Sequence, residues 1–193
     1  MIDTHFKGNE ASEGSAVYVL SPVSHWFENC VWLDNKGLPK DSYYGFKQGV
    51  TSRGAALYSG LLSINVTFYK CKLINNTGDD SGTISVRPTV FKGTLNVIDS
   101  EVDDRMSLLN GKTTFAFKYI PGTKITFLRS RIIGSAEFST GSIADINASS
   151  FTAPSWYKGD ILTVNEGGVL AIKEARPVNV DVQVSHYHMM GWS

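Results

Sequence analysis

Apolar residues in this chain recur at every second position in short bursts, and almost never at helical spacing. Ala16-Val-Tyr-Val-Leu20, Thr83-Ile-Ser-Val86, Thr114-Phe-Ala-Phe117 and Val178-Asn-Val-Asp-Val-Gln-Val184 all alternate this way. No stretch places apolar side chains convincingly at i, i+3, i+4 and i+7, the signature of an amphipathic helix. Alternation bounded by Gly, Asn and Asp predicts short β-strands, so the expected fold class is all-β.

A longer pattern is laid over the alternation. Phe27-Glu-Asn-Cys30-Val-Trp32-Leu-Asp-Asn35 and Phe68-Tyr-Lys-Cys71-Lys-Leu73-Ile-Asn-Asn76 share the form apolar-x-x-Cys-x-apolar-x-(Asn/Asp)-Asn. With any small residue allowed for Cys, it recurs at Val97–Asp104, Phe127–Ile132 and Ile146–Phe151, with a degenerate copy at Ile172–Ala175. The small positions 30, 71, 100, 130, 149 and 175 lie 41, 29, 30, 19 and 26 residues apart. An alternating strand precedes each of the first five copies, and the first three of these strands open alike: Gly14-Ser-Ala-Val-Tyr18, Gly54-Ala-Ala-Leu-Tyr58 and Gly82-Thr-Ile-Ser-Val86. A constant core pattern with variable spacing is what stacked repeats with loops of unequal length produce.

Gly-x-Ala-x-Tyr followed by apolar-x-x-Cys-x-apolar-x-Asn-Asn resembles right-handed parallel β-helix proteins of the pectate-lyase-like kind, over roughly residues 6–176. The resemblance implies a single-stranded right-handed parallel β-helix of about six rungs over residues 1–176, followed by a strand and assembly tail over 177–193. Stacking then predicts three interior columns. Phe27, Phe68, Val97, Phe127 and Ile146 form one; Trp32, Leu73, Val102, Ile132 and Phe151 form a second. Cys30, Cys71, Ser100, Ser130, Ser149 and Ala175 form a small-residue column beside a corner, where Asn is expected for its tolerance of left-handed backbone. Trp26, Val31, Leu33 and Ile74 are expected to point outward, which suggests a lateral contact.

The N-terminal stretch Phe6–Gly14 reads as the tail of an incomplete rung, so the chain is expected to continue a longer protein or to have its start covered by a partner. Residues 1–15 contain no apolar stretch of the secretory kind. The two cysteines fall in the small interior column and are expected to be core residues, not a disulfide framework.

Charge narrows the functional classes. Eighteen Lys+Arg balance eighteen Asp+Glu, giving net zero, so no global basic field exists for nucleic acid. No run is apolar and long enough for membrane insertion as a helix. No P-loop, dinucleotide fingerprint, zinc cysteine pair or nucleophile elbow is present.

Several residue groups are candidates for chemistry. Lys70/Asp99/Arg129 and Lys72/Glu101/Arg131 should stack as ladders of alternating sign on adjacent turns, either setting register or forming a polar sugar-binding face. The cluster Asp99, Glu101, Asp103, Asp104 and Arg105 is the densest source of the paired carboxylates that glycosidases need, with Asp79-Asp80 in the preceding turn. The bland reading is a solvated corner loop, because Asp is a common turn residue, and divalent-cation binding is a third reading. The insertion Lys36–Arg53 carries Tyr43, Tyr44 and Phe46 among polar residues, suited to a sugar face or a subunit contact. His186 and His188 would share one face of a strand. Their spacing resembles the His-x-His sites of trimeric phage fibre and spike tips, which implies a metal ion at a trimer axis, against an ordinary packed terminus.

The favoured expectation is a bacteriophage tail-spike or tail-fibre segment, a homotrimer in the virion assembled in the host cytoplasm with other tail proteins, that binds and in some relatives degrades surface polysaccharide. A monomeric pectate-lyase-like enzyme and a bacterial repeat adhesin, extracellular or on the cell surface, are the alternatives.

Overall fold

The computed structural model describes residues 1–11, 14–19, 23–38, 54–59, 65–78, 82–86, 93–110, 114–117, 123–138, 142–159, 161–164, 169–173 and 182–184. Strands follow one another with almost no helix. They run β1 (His5–Lys7), β2 (Glu10–Ala11), β3 (Val17–Val19), β4 (Ser24–Glu28), β5 (Val31–Leu33), β6 (Lys36–Gly37) and β7 (Leu57–Ser59). There follow β8 (Asn65–Tyr69), β9 (Lys72–Ile74), β10 (Ile84–Val86), β11 (Thr94–Ile98) and β12 (Glu101–Asp103). A single-turn helix, α1 (Arg105–Leu109), precedes β13 (Phe115–Phe117), β14 (Lys124–Leu128), β15 (Arg131–Ile133) and β16 (Ala136–Phe138). The last are β17 (Ile143–Asn147), β18 (Ser150–Thr152), β19 (Leu162–Val164), β20 (Val169–Lys173) and β21 (Val182–Val184).

These strands sort into three main parallel sheets. Sheet I is β1-β5-β9-β12-β15-β18, sheet II is β3-β7-β10-β13-β16-β19-β21, and sheet III is β4-β8-β11-β14-β17-β20. The chain visits them in the order I, II, III from β1 through β20, each new strand pairing in parallel with the one laid down a pass earlier. The short pair β2-β6 and the helix α1 occupy the same place in the order, between sheets I and II.

Register follows the repeat pattern. Phe27 pairs with Phe68, Phe68 with Val97, Val97 with Phe127, and Phe127 with Ile146. Trp32, Leu73, Val102, Ile132 and Phe151 are matched likewise across sheet I. All ten are buried in one apolar cluster to which all three sheets contribute. Ring stacking reinforces the columns: Phe27 lies parallel to Phe68 with centroids 5.3 Å apart, and Trp32 meets both edge-on at 5.1 Å. Each such pair adds about 0.5–1.5 kcal/mol beyond the area it buries. The outward expectation also holds at Trp26, which is 50% exposed, while Val31, Leu33 and Ile74 are half-buried.

The corners follow the expected preference for left-handed Asn at Asn29 and Asn75, and depart from it elsewhere. Between sheets III and I the bend is made by one residue at positive φ, and its identity varies: Asn29, Lys70, Asp99, Arg129 and Ala148, with φ from 47° to 53°. Between sheets I and II, Gly8, Asp34 and Asn75 take the left-handed conformation. The second Asn of each pair does something else. Asn35 and Asn76 are fully buried and hydrogen-bond in a row: Asn9 Nδ2 donates to Asn35 Oδ1 at 2.8 Å, and Asn35 Nδ2 donates to Asn76 Oδ1 at 2.7 Å. Asn76 Nδ2 closes the row on the Trp32 carbonyl at 3.2 Å. The Asn-Asn motif therefore combines a bend with an internal polar ladder.

Small residues build a second ladder. Ser100, Ser130 and Ser149 each donate a hydroxyl to the carbonyl two residues earlier, at 2.7–3.0 Å. Each also accepts the backbone N–H of the small residue one pass earlier: Cys71, Ser100 and Ser130, at 3.0–3.1 Å. Cys30 and Cys71 are buried free thiols, and burial pushes Cys71 up to about 11, so it stays protonated. Ala175 lies outside the described residues.

Candidate functional site

The bend residues between sheets III and I point their side chains outward, and the strands on either side add neighbours at the same level. Lys70, Asp99 and Arg129 therefore stack along the corner, with Lys72, Glu101 and Arg131 stacked beside them on sheet I. Asp99 receives a two-pronged bond from Arg129, Nε to Oδ1 at 2.6 Å and Nη2 to Oδ2 at 2.8 Å. Arg131 Nη1 donates to Glu101 Oε1 at 2.9 Å. The Arg129 guanidinium, with Lys70 adding to it, holds the Asp99 carboxyl below its ordinary range. Lys70 and Lys72 are exposed, and among the described residues neither lies within ion-pair distance of a carboxylate. These six charged residues, with Cys71 and Ser100, line a shallow groove of about 400 Å³.

Aromatic residues border this groove. Tyr69 precedes Lys70 in sequence, and the Lys70 ammonium sits 4.9 Å from the Tyr69 ring centre. Trp26, on the neighbouring strand β4, is 5.9 Å from Tyr69, and its indole N–H donates to Glu28 Oε2 at 3.2 Å. Farther across sheet III the outward row is neutral and polar: Thr94 donates to Asn65 Oδ1 at 3.0 Å, and Asn96 to Thr67 Oγ1 at 3.1 Å. The expectation had placed Trp26 outward but had not placed Tyr69 in a site. Its signal was the two-residue offset that puts positions 26 and 69 on the solvent side of register-matched strands.

The acidic cluster divides three ways. Asp99 and Glu101 belong to the groove and are matched with arginines. Asp103 is clamped by its own neighbour Arg105, at 2.9 and 2.6 Å. Asp104 turns inward and is fully buried. Thr83 Oγ1 donates to its Oδ2 at 2.9 Å, while Oδ1 meets no partner. Burial pushes this carboxyl up to about 7, with the hydroxyls of Ser107, Thr83 and Thr114 pulling it back. A Cβ on Gly82 would run into the Asp104 carboxylate and the Ser107 hydroxyl, so the cluster has no spare room.

The described residues of this cluster hold their carboxylates either in ion pairs or in the interior. A glycosidase acid must hold a proton where the glycan can take it. The exposed carboxylates of this cluster are paired with arginines, and Asp104, the carboxyl among the described residues whose pKa is raised, is sealed in the interior. Among the described residues no cluster of three His, Cys, Asp or Glu side chains could hold a metal ion. Tyr43, Tyr44, Phe46, Asp79, Asp80, His186 and His188 lie outside the described residues. A larger concavity, about 670 Å³, lies at the corner between sheets I and II. Among the described residues its lining charges, Lys7 and Lys36 against Glu10 and Asp34, cancel, and no aromatic side chain lines it.

Comparison of the chain with protein-family models, with curated proteins and with solved structures finds no match.

Proposed function

We propose that the chain is a glycan-binding segment of a right-handed parallel β-helix, with each I–II–III pass forming one rung, six in all. In this reading it belongs to a bacteriophage tail spike or fibre, trimeric in the virion, and grips surface polysaccharide along its outer face. The observation that carries the binding function is the adjacency of the Trp26–Tyr69 pair to the charged groove of Lys70, Lys72, Asp99 and Arg129. Aromatic rings offer an apolar face to a sugar ring, and the fixed polar groups beside them orient its hydroxyls. A parallel sheet repeats its outward positions at about 4.8 Å per strand, and the row beyond the rings is polar (Thr67, Asn65, Thr94 and Asn96), so an extended chain can be followed instead of one residue enclosed.

Affinity electrophoresis through gels cast with purified bacterial capsular and lipopolysaccharide glycans tests this. The protein is expected to be retarded by at least one glycan, and Trp26→Ala to weaken that binding about tenfold, near 1.4 kcal/mol, with an unchanged thermal melt. Retardation that survives Trp26→Ala and Tyr69→Ala together removes the aromatic platform from the account. Light scattering tests the trimer separately: a mass of one chain rules it out.

A further inference from the structure

We infer that the glycan held on this face is acidic, with carboxylate or phosphate groups seated on Lys70 and Lys72; the inference rests on the glycan-binding reading above. It starts from an imbalance. The whole chain has zero net charge, yet the groove collects four cations, Lys70, Lys72, Arg129 and Arg131, against two anions, Asp99 and Glu101.

The four cations are not equivalent. Arg129 is committed to Asp99 through two bonds and Arg131 to Glu101 through one. These pairs are neutral as units, and their planar groups are already occupied. The surplus of +2 therefore resides on Lys70, the bend residue itself, and Lys72, two residues beyond it, at the end of the groove nearest Tyr69. An ammonium is a compact charge with three rotatable donors, which suits anionic groups whose spacing along a flexible polymer is not fixed. Glu28, in register with Tyr69 on the adjoining strand, is held by the Trp26 indole. The strip thus runs from an aromatic platform to a doubly positive end. A sugar ring stacked on the exposed Trp26, beside Tyr69, would bring a carboxylate or phosphate on itself or the next residue toward the two ammonium groups. Nucleic acid is disfavoured because two free charges supply little of the phosphate neutralisation such binding needs.

Retardation of the full chain should be measured against polygalacturonate, alginate and hyaluronate, against neutral dextran and pullulan, and against a short DNA duplex. The expected result is retardation by at least one acidic polysaccharide, none by the neutral ones, and loss of at least fivefold in affinity on going from about 20 mM to about 500 mM salt. Lys70→Gln with Lys72→Gln should weaken acidic binding about tenfold. Arg131→Gln serves as the control for a general change in groove charge and should weaken it less. If neutral glycans bind as well and the lysine double variant is silent while Trp26→Ala still weakens binding, the acidic inference fails and the glycan reading stands. If none of the five polysaccharides is retarded while a neutral capsular or lipopolysaccharide glycan is, the acidic inference fails and the glycan reading stands; if no glycan of either set is retarded, both fail. DNA bound more tightly than any glycan, through the same lysines, overturns both in favour of a polyanion site of another kind.

Discussion

Asp104 shows how a side chain that looks catalytic in sequence becomes structural once its environment is known. Its neighbours Asp103 and Arg105 face solvent and pair with each other, while Asp104 faces a pocket of hydroxyls with no room for water-borne partners. The folded carboxyl keeps its proton to about pH 7, whereas an unfolded Asp releases it near 3.9. Between these values the folded state binds more protons than the unfolded one. The contribution is therefore full below about pH 4 and is lost as pH rises through 7. The loss at pH 8 is on the order of 4 kcal/mol. The melting temperature should fall between pH 5 and pH 8, and Asp104→Asn should flatten that decline. A wild-type profile already flat over this window would show that the carboxyl ionises at no cost. The only sequence signal separating the two carboxylates is their parity with the inward Val102, and it holds only if the strand runs on past Asp103 without a bend. The distinction arises because the chain does not bend at Asp104 (φ −122°) as it does at Asn75 one pass earlier, so the alternation that buries Val102 carries Asp104 inward as well.

The ladders are properties of whole corners. Asn35 accepts from both the backbone and the side chain of Asn9 and donates to the Phe6 carbonyl and Asn76 Oδ1, so it satisfies four buried or half-buried groups. Asn35→Ala orphans several of them at once and should cost about 3 kcal/mol. Asn65→Ala, which removes one exposed bond to Thr94, should cost less than about 0.5 kcal/mol. Chemical denaturation of the two variants gives the comparison, and equal losses would mean the buried row is bridged by other groups. At this scale the sequence was largely readable. Positions such as Phe68 and Leu73 are dictated by stacking, and their spacing survives substitution of Cys by Ser. What could not be read was which residue bends: Lys70, Arg129 and Ala148 all sit at positive φ, a conformation for which none is selected by propensity. There the turn is imposed by the strands on both sides, which pair regardless of the residue between them. The same imposition brings the charges of Lys70, Asp99 and Arg129 into one column, so alternation of sign along the repeat was legible even though the bend was not. The aromatic edge of the site was only half legible. Tyr69 is an ordinary alternating residue until its cross-strand neighbour Trp26 is known.

Across the molecule, the passes through the three sheets differ in length while their registers remain constant. The strands of sheet III begin at residues 24, 65, 94, 124, 143 and 169. Every strand must wait for a partner a full pass away, so no contact of this kind can form until a loop has closed. Closing a loop twice as long costs only about 0.6 kcal/mol more, yet that is close to a threefold difference in the population of closed chains. The shortest pass separates β14 from β17, and it brings together Phe127 with Ile146 and Ile132 with Phe151. The longest separates β4 from β8. Assembly should therefore start in the C-terminal half and add passes toward the N-terminus, each new strand docking on an edge already formed. Pulse-labelled hydrogen exchange during refolding should show the amides of Lys124–Leu128 and Ile143–Asn147 protected before those of Ser24–Glu28. Protection appearing first at Ser24–Glu28 would mean that the stacked rings of Phe27, Trp32 and Phe68 outweigh loop length. The order of events thus follows from unequal loops on equal strands. Lengthening the β14–β17 connection by inserted glycine and serine should slow the whole reaction, whereas the same insertion between β4 and β8 should barely change it.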